Sequence, residues 1–431
     1  MAACGLDFGT SNSTIGVLSQ GIPNLVPLED GSPLIPSAIF FDYESRGQVN
    51  FGRAAIQSYI EQNEGRLMRA LKSILSSPLI EQKTVIGGKL VSLKYVVELF
   101  VQHLKQKAET LLDDEVTAVV HGRPVRFVDG NDFADMQAQL VLEEIARKLG
   151  FRHIEFLYEP IAAAYHFEQY LTQEEVVLVA DIGGGTSDFS VIRLGPARRH
   201  RPDRKPDILS SQGARIGGVD FDAALSLSRV MPEFGLGSRL RTKKLPMPNA
   251  IYFELANWAT INFVYTPQYA REVRDAIMDA EEPDKLRRLQ SLISLRLGHR
   301  IATAVEDAKI DLSQESQGKI LLDFVEPSLS LGIGRATFDQ ILEPGLVRIV
   351  EGVKSAIRVA GLTSSEVHTV FLTGGSSRIP AIRAAIASAA PNAELRTSSD
   401  LLSVGLGLTE HAANIFGSSS SAGYGNAGRV S

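Results

Sequence analysis

The order of apolar and polar positions near the start of the chain predicts two short strands joined by a tight turn. Residues 4–18 consist of an apolar run, a polar turn that begins with a glycine, and a second apolar run. The same design returns at residues 176–192, where the turn contains Gly183, Gly184 and Gly185 in succession. Each half of the chain therefore opens with a β-hairpin and not with a strand that enters a helix.

A repeated opening hairpin at this long spacing is typical of a duplicated protein with two lobes and a cleft between them. Apolar residues at helical spacing, separated by strand-like runs, favour an α/β fold with smaller inserted subdomains. The helices are expected near residues 53–76, 92–113, 131–149, 221–231, 251–262, 267–312 in pieces, 337–360 and 380–389.

The same pattern sets the expected domain limits. Lobe I is expected at 1–174 and lobe II at 175–416. Each lobe is expected to have a core in two pieces and an insert between them. For lobe I these are 1–35, 112–174 and an insert at about 36–111, and for lobe II they are 175–220, 313–416 and a helical insert at about 221–312.

Composition and charge narrow the function classes. The 431 residues include 44 Lys or Arg and 50 Asp or Glu, a formal net charge of −6, so we expect neither nucleic acid nor a membrane surface as a partner. No window is apolar for long enough to span a membrane, and the N-terminus lacks a signal-peptide pattern. Cys4 is the only cysteine, which excludes an intrachain disulfide. We expect a cytoplasmic location.

The two predicted turns carry the chemistry of a phosphate site. Glycines let the backbone N–H groups approach phosphate oxygens, and neighbouring hydroxyl and amide groups add donors. A carboxylate precedes each turn, Asp7 in the first and Asp181 in the second. Two carboxylates beside phosphate are favourable only with a divalent cation between them, and Mg²⁺ is the oxygen-preferring candidate. The expected donors are Gly9, Thr10, Ser11, Asn12, Gly183, Gly184, Gly185 and Thr186.

Five segments resemble, in the same order, those of the Hsp70 nucleotide-binding domain in the actin, hexokinase and Hsp70 ATPase superfamily. They are GLDFGTSNS (5–13), YEPIAAAY (158–165), DIGGGTSD (181–188), IGGVDFD (216–222) and LTGGSSRIP (372–380). The resemblance implies an actin-like ATPase fold, in which each lobe is built on a duplicated RNase H-like mixed sheet flanked by helices. It also implies that ATP or ADP lies in the cleft with Mg²⁺.

The resemblance implies catalytic and metal roles for particular residues. Asp7, Asp181 and Asp188 would hold Mg²⁺ largely through water. Glu159, and Asp181 as well, would orient the attacking water. Lys72 would reach the γ-phosphate, although its position in a helical pattern also fits a solvent-facing lysine, with Arg69 as the alternative. Thr186 would contact the γ-phosphate or the water.

The resemblance also implies an adenosine site. The segment EDAKIDLS (306–313) resembles the helix that contacts ribose and base, although a plain polar stripe fits the same pattern. One departure is Ile310, where Hsp70 proteins usually carry an arginine that stacks on adenine. The expected residues of this site are Glu306, Lys309, Ser313, Gly374, Gly375, Ser376 and Arg378. Gly217 and Gly218 are also expected to bind the cofactor.

The expected function is slow magnesium-dependent ATP hydrolysis that opens and closes the lobes, in an Hsp70-like protein related to chaperones but without a peptide-binding domain. Protein partners or co-chaperones are expected on the helical insert of lobe II. Three alternatives remain open from the sequence: a filament-forming actin homologue, a small-molecule kinase of the same superfamily, and a scaffold that binds ATP with little hydrolysis.

Two segments depart from globular composition. Residues 198–206 are basic and flanked by prolines, which predicts a solvated loop, and residues 417–431 are rich in Ser and Gly, which predicts a flexible tail. His121, Trp258 and Cys4 are expected to be structural residues.

Overall fold

The computed structural model describes most of the chain, and all statements below concern those residues. They are 2–19, 21–44, 48–61, 63–75, 80, 82–199, 201, 203–242, 244–397 and 402–417. The tail predicted at 417–431 lies outside them apart from Gly417. Within the described ranges, no helix combines the length and the apolar character that crossing a bilayer requires.

The first half of the chain alternates strands with four helices. The strands are β1 (Ala2–Phe8), β2 (Asn12–Ser19), β3 (Ile22–Leu25), β4 (Ile35–Pro36), β5 (Ala38–Asp42), β6 (Val49–Phe51), β7 (Gly65–Arg69), β8 (Lys83–Ile86), β9 (Lys89–Ser92), β10 (Val116–Arg123) and β11 (His153–Tyr158). The helices described in this half are α1 (Gly52–Ile60), α2 (Leu93–Leu112), α3 (Asp132–Lys148) and α4 (Glu159–Phe167).

The second half repeats the opening hairpin and adds more helices. Its strands are β12 (Glu175–Ile182), β13 (Ser187–Leu194), β14 (Ile208–Ala214), β15 (Gln317–Leu321), β16 (Ser330–Gly334), β17 (Thr369–Thr373) and β18 (Glu394–Thr397). Its helices are α5 (Gly218–Leu225), α6 (Ala250–Ala256), α7 (Pro267–Asp279), α8 (Pro283–Ser294), α9 (Gly298–Gln314), α10 (Arg335–Val359), α11 (Pro380–Ala389) and α12 (Ser403–Phe416).

The two central sheets have the same topology. The first has the order β11-β10-β1-β2-β3, with β1 antiparallel to β2 and parallel to β10. The second has the order β14-β13-β12-β17-β18, with β12 antiparallel to β13 and parallel to β17. Strand β1 is thus the counterpart of β12, and each begins a hairpin at the centre of its sheet. This confirms the α/β architecture of two lobes built on duplicated mixed sheets.

Helices α4 and α12 pack between the two sheets. Helix α4 contacts β10 and β11 of the first sheet and β12, β13 and β17 of the second. Gly407 of α12 lies so close to the carbonyl group of Ala162 in α4 that a Cβ atom would clash with it. A separate apolar core joins Val120, Ala162, Val179 and Leu408 at this crossing. The lobes are therefore connected by a closely packed pair of helices.

One predicted helix is wrong in its second half. Residues 53–76 were expected to be helical, but α1 ends at Ile60 and β7 follows. Strand β7 pairs with β5 and buries Leu67 and Met68. The strand pairing outweighs the local helical pattern at this point. Lys72 then lies in a short 3-10 turn, Leu71–Ile74.

Two helices of the second lobe are shorter than predicted. The helix expected at 221–231 ends at Leu225 and continues as a π-helical turn and a 3-10 turn that contains Pro232, which has no N–H group for an α-helical hydrogen bond. The helix expected at 251–262 ends at Ala256, because Asn257 adopts an extended conformation and its side chain accepts a hydrogen bond from the Ala259 N–H.

The sequence predicts a solvated loop at residues 198–206, but two arginines of this loop form ion pairs with buried carboxylates. Arg204 forms ion pairs with Glu168 at 2.8 Å and Asp207 at 2.7 Å, and Arg198 pairs with Glu174 and Asp207. Glu168 and Asp207 are almost completely buried. The arginines neutralise carboxylates that would otherwise be buried without a partner. His200 and Pro202 of this loop lie outside the described residues.

Candidate nucleotide site

The two glycine-rich turns lie against each other across the cleft. The turn between β1 and β2 carries Thr10 and Ser11, and the turn between β12 and β13 carries Gly184 and Gly185. A Cβ atom on Gly184 would clash with the Ser11 hydroxyl, and one on Gly185 would lie 3.0 Å from Oγ1 of Thr10. The absence of side chains at these glycines is what lets one turn from each lobe approach the other.

A cavity of about 720 Å³ opens between the lobes, with the two turns on its wall. This volume lies within the usual range of small-molecule sites. It is lined by most of the residues that the sequence singled out: Asp7, Gly9, Thr10, Ser11, Asn12, Lys72, Glu159, Asp181, Gly183, Gly184, Thr186, Gly218, Glu306, Lys309, Ser313, Gly374, Gly375, Ser376 and Arg378.

Three of the residues that the sequence singled out do not line this cavity. Gly185 faces Thr10, and Gly217 packs behind Gly184, whose carbonyl carbon would lie 2.6 Å from a Cβ atom on Gly217. Asp188 is buried behind the second turn, where its Oδ1 atom accepts a hydrogen bond from the Val125 N–H at 2.8 Å. These residues support the cavity wall from behind.

A group of buried carboxylates surrounds one lysine at the turn end of the cavity. Lys72 donates a hydrogen bond to Oε1 of Glu159, and these side chains form an ion pair. Lys72 is 5% exposed, and Glu159 and Asp181 are each 7% exposed. Asp7 also lines this end. The carboxylates therefore outnumber the cation, and the region attracts further positive charge.

The pKa values reflect this excess of carboxylates. Burial and the neighbouring Glu159 raise the pKa of Asp7 and that of Asp181 to about 8. The same two causes raise the pKa of Asp188 to about 7. For Lys72, burial opposes the charged form, but Glu159 and Asp7 outweigh it and raise the pKa of the ammonium group. A bound cation would favour the ionised carboxylates and lower their pKa values.

The structure distinguishes the two cations that the sequence left as alternatives. Lys72 lines the cavity and lies among the carboxylates. It belongs to a short turn that begins after Ala70, which adopts a left-handed conformation (φ 54°). Arg69 does not line the cavity, in contrast to Lys72. Its guanidinium forms an ion pair with Glu306 at 3.0 Å.

Helix α9 forms another wall of the cavity. Lys309 forms an ion pair with Asp222 at 2.8 Å, and the Ser313 hydroxyl donates a hydrogen bond to the Lys309 carbonyl oxygen. Burial raises the pKa of Asp222 to about 6, while Lys309 opposes this shift. Asp222 was not among the predicted site residues, although it is the last residue of a motif on which the resemblance rests. Facing α9, Ser376 donates a hydrogen bond to the Gly183 carbonyl oxygen at 3.0 Å.

The protein oxygens fit a hydrated Mg²⁺ ion better than a metal held by protein alone. In the parts of the chain that the structure describes, no three or more His, Cys, Asp or Glu side chains are grouped as a metal site. Oδ2 of Asp188 is buried without a hydrogen-bond partner among those residues. Mg²⁺ usually keeps several waters and binds one or two carboxylates together with substrate phosphates. The chemistry of Asp7, Asp181 and Asp188 suits that mode.

Side chains from the two halves of the chain are in contact next to the cavity wall. The guanidinium of Arg69 lies 3.9 Å from the centre of the Trp258 ring, and it also forms the ion pair with Glu306. Asn262 donates a hydrogen bond to the Leu67 carbonyl oxygen at 3.1 Å. Arg69 and Leu67 lie in β7, in the first half of the chain, and Trp258, Asn262 and Glu306 lie in the second half. Glu306 both pairs with Arg69 and lines the cavity, so a change at the cavity wall can affect the Arg69 contacts.

Two duplicated mixed sheets with paired glycine turns over a shared cleft define an actin-like ATPase fold. The chain also matches the family model described as Hsp70 protein, over residues 3–244 and 280–400. It therefore belongs to the Hsp70 family, as the resemblance indicated. Members of this family bind ATP or ADP with Mg²⁺. Residues 245–279, between the matched segments, fall in α6, α7 and their flanking loops.

Proposed function

We propose that this protein binds Mg-ATP in the cleft, hydrolyses it slowly, and uses the cycle to open and close its lobes in a chaperone-related role. The observation that carries the proposal is the contact between the two glycine turns, in which the Ser11 side chain packs against Gly184. This contact lies beside the buried carboxylates. A triphosphate placed there would meet backbone N–H groups from both lobes at once. Its binding therefore favours the closed arrangement of the lobes.

The donors for the phosphates come from the two turns. Thr10, Ser11, Gly184 and Thr186 line the cavity, so their backbone N–H groups and hydroxyls are the candidate donors. Asp7 and Asp181, which line the cavity, would hold Mg²⁺, and Asp188, which faces Asp181 across the β12–β13 hairpin, would act on the ion through water. The ion neutralises phosphate charge when it is bound. This arrangement supplies positioning and electrostatic stabilisation, which are the main needs of phosphoryl transfer.

Hydrolysis would use the Lys72–Glu159 pair. The γ-phosphate competes with Glu159 for the Lys72 ammonium, which frees the carboxylate to accept a hydrogen bond from water. Attack of that water oxygen on the γ-phosphorus breaks the bond to the β-phosphate oxygen, and the proton from water passes to Glu159. Asp181 is the second candidate to orient the water, and the Thr186 hydroxyl donates to the γ-phosphate. The products are ADP and phosphate.

Lobe opening would require the Arg69 contacts to break. Arg69, in lobe I, contacts Trp258 and Glu306 of lobe II. Glu306 also lines the cavity that the nucleotide would occupy. Nucleotide release then depends on separating the inserts. Because Trp258 is the only tryptophan, its fluorescence reports this separation without a label.

The test is to titrate ATP and ADP with Mg²⁺ by calorimetry and to measure phosphate release. Asp181→Asn and Thr186→Ala should slow phosphate release by about 100-fold or more while the protein still binds nucleotide. The exposed residues Asp114 and Thr110 supply matched controls, Asp114→Asn and Thr110→Ala, which should behave as wild type. No affinity for nucleotide in any form contradicts the proposal. Binding without mutant-sensitive hydrolysis contradicts its catalytic part.

A further inference from the structure

His299 is a buried histidine that the proposed mechanism does not use. It lies in the first turn of α9, in the second half of the chain, and is almost completely buried. Its ring stacks on Trp258 with the ring centres 5.6 Å apart, and it meets the ring of Tyr59 edge-on at 5.4 Å. Tyr59 belongs to α1 in the first half of the chain, and its hydroxyl donates a hydrogen bond to the Arg296 carbonyl oxygen. His299 therefore lies where the two halves of the chain are in contact.

Hydrogen bonds define the protonation state that this contact requires. The side-chain NH₂ group of Asn262 lies 3.1 Å from the Leu67 carbonyl oxygen and 3.3 Å from Nε2 of His299. A carbonyl oxygen can only accept, so Leu67 fixes this end of the Asn262 amide as the donor. Nε2 of His299 must then accept the second N–H, which places the ring proton on Nδ1 of a neutral imidazole. The bridge from Asn262 to β7 in the first half of the chain therefore goes with neutral His299.

A second proton on His299 is unfavourable while the halves are in contact. It would turn Nε2 into a donor that faces the donor NH₂ group of Asn262. Nδ1 is buried without a hydrogen-bond partner among the described residues, so nothing there stabilises a charged ring. Burial, together with the positive charges of Arg69 and Arg66 on β7, lowers the pKa of His299 to about 3.

The other titratable groups around this ring supply no compensating negative charge. Burial keeps two phenols neutral, since it raises the pKa of Tyr59 to about 12 and the pKa of Tyr265 well above its ordinary value. Arg296, which lies over the Tyr265 ring, and Arg300, the next residue of α9, are cations. Glu306, two turns further along α9, is held in an ion pair by a guanidinium of β7. Protonation is thus opposed from every neighbouring element.

We propose that His299 makes the contact between the two halves of the chain sensitive to pH, so that the neutral ring holds them together and its protonation separates them. Once the halves part, water reaches the ring and Asn262 no longer bridges to Leu67, so the charged form is no longer opposed. Faster nucleotide release in acid follows only if the proposed function holds, because the same separation would then open the nucleotide cavity.

The size of the effect follows from the two arrangements. In water the pKa of a histidine returns to its ordinary value of 6.5, well above its value with the halves in contact. Between pH 7.5 and pH 5.5 only the separated arrangement gains protons, so the equilibrium shifts toward separation by about tenfold. The contact is therefore stable above pH 6.5 and weakens progressively below it.

The test measures the oxidation of Trp258 by N-bromosuccinimide on the full chain without nucleotide, at pH 7.5 and pH 5.5. Trp258 is the only tryptophan, and it is buried under the Arg69 guanidinium, so it reacts when the halves part. Each rate is divided by that of N-acetyltryptophanamide at the same pH, which removes the pH dependence of the reagent. The normalised rate should be about tenfold higher at pH 5.5. A rise of less than about threefold overturns the inference.

Variants assign the effect to this ring. His299→Gln keeps an acceptor for Asn262 but does not titrate, so its normalised rate should be equal at the two pH values. His153→Gln, at an exposed histidine of β11, is the matched control and should keep the tenfold rise. Asn262→Asp gives the protonated ring an acceptor and should also reduce the rise, which decides the question if His299→Gln does not fold. A tenfold rise in His299→Gln overturns the inference.

The dissociation of ADP separates this inference from the proposed function. The cavity carboxylates change with pH in wild type and in His299→Gln alike, so the ratio of the two dissociation rates isolates His299. This ratio should be about tenfold higher at pH 5.5 than at pH 7.5. An unchanged ratio overturns the link to release. If no form binds ADP, the proposed function fails, and the oxidation of Trp258 still tests the pH-sensitive contact.

Discussion

Lys72, in the 3-10 turn Leu71–Ile74, donates a hydrogen bond to Glu159 at the start of α4, and both side chains are more than nine-tenths buried. Removing one partner of a buried ion pair leaves the other charge without compensation. The pair therefore holds the site together before nucleotide binds, and a phosphate that attracts Lys72 would free Glu159.

Glu159→Gln tests the role of this carboxylate. The amide still accepts a hydrogen bond from Lys72 but cannot take a proton from water, so we expect phosphate release to fall by about 100-fold or more. Mg-ATP affinity should change by less than about threefold. The matched control is Glu155→Gln, at an exposed position of β11. Phosphate release from Glu159→Gln at the wild-type rate, measured in single turnover, would exclude Glu159 from the hydrolytic step.

The raised carboxylate pKa values give a pH dependence with a defined sign. The pKa values of Asp7 and Asp181 are about 8 in the folded protein, above the ordinary aspartate pKa of 3.8. Between these values the folded state binds more protons than the unfolded state, so the free energy of unfolding falls as pH rises from about 4 to 8. Thermal denaturation without nucleotide should show this fall, and Asp181→Asn should reduce it. A melting temperature that rises across this window would contradict the assignment.

The same ionisation links binding to proton release. A metal-bound nucleotide favours the ionised forms of Asp7 and Asp181, so Mg-ATP binding at pH 7 should release protons. Affinity should increase from pH 6 to pH 8.5. Calorimetry in buffers of different ionisation enthalpy measures the released protons, and Asp181→Asn should lower their number. Identical heats in all buffers would show that these carboxylates are already ionised.

The contact of Arg69 with Trp258 should control nucleotide release. Arg69→Gln removes the cation–π contact and the ion pair with Glu306, so we expect ADP to dissociate about fivefold faster. This rate is measured in a stopped-flow instrument by mixing the complex with fluorescent ADP against excess unlabelled ADP and following the loss of the fluorescent ligand. Arg287, which pairs with Asp284 on the surface of α8, supplies the control Arg287→Gln. If Arg69→Gln leaves the dissociation rate unchanged, separation of the inserts does not limit release.

Gly184→Ala tests the contact between the turns. Its Cβ atom would clash with the Ser11 hydroxyl, which should push the turns apart and lower Mg-ATP affinity by more than about tenfold. The double variant with Ser11→Gly removes the clashing side chain and should recover part of the affinity. Gly332→Ala, where a Cβ atom meets no atom within 4 Å, is the control. Wild-type affinity in Gly184→Ala would show that close approach of the turns is not required.

The sequence predicted the parts of the site that depend on local chemistry. The turns at Gly9 and Gly183 could be identified because the glycines and the preceding carboxylate lie within a few consecutive residues. Lys72 was harder to place, since its neighbours suit a helix and only the pairing of β7 with β5 sets its position. The Arg69–Trp258 contact could not be predicted, because it joins side chains from two lobes that no local pattern relates.

The central claim is that a triphosphate lies between the two glycine turns, and a structure with Mg²⁺ and a non-hydrolysable ATP analogue tests it most directly. We expect the β- and γ-phosphates within hydrogen-bond distance of backbone N–H groups from both residues 9–12 and residues 183–186. Phosphates bound by one turn alone, or a nucleotide found outside this cleft, would contradict the account.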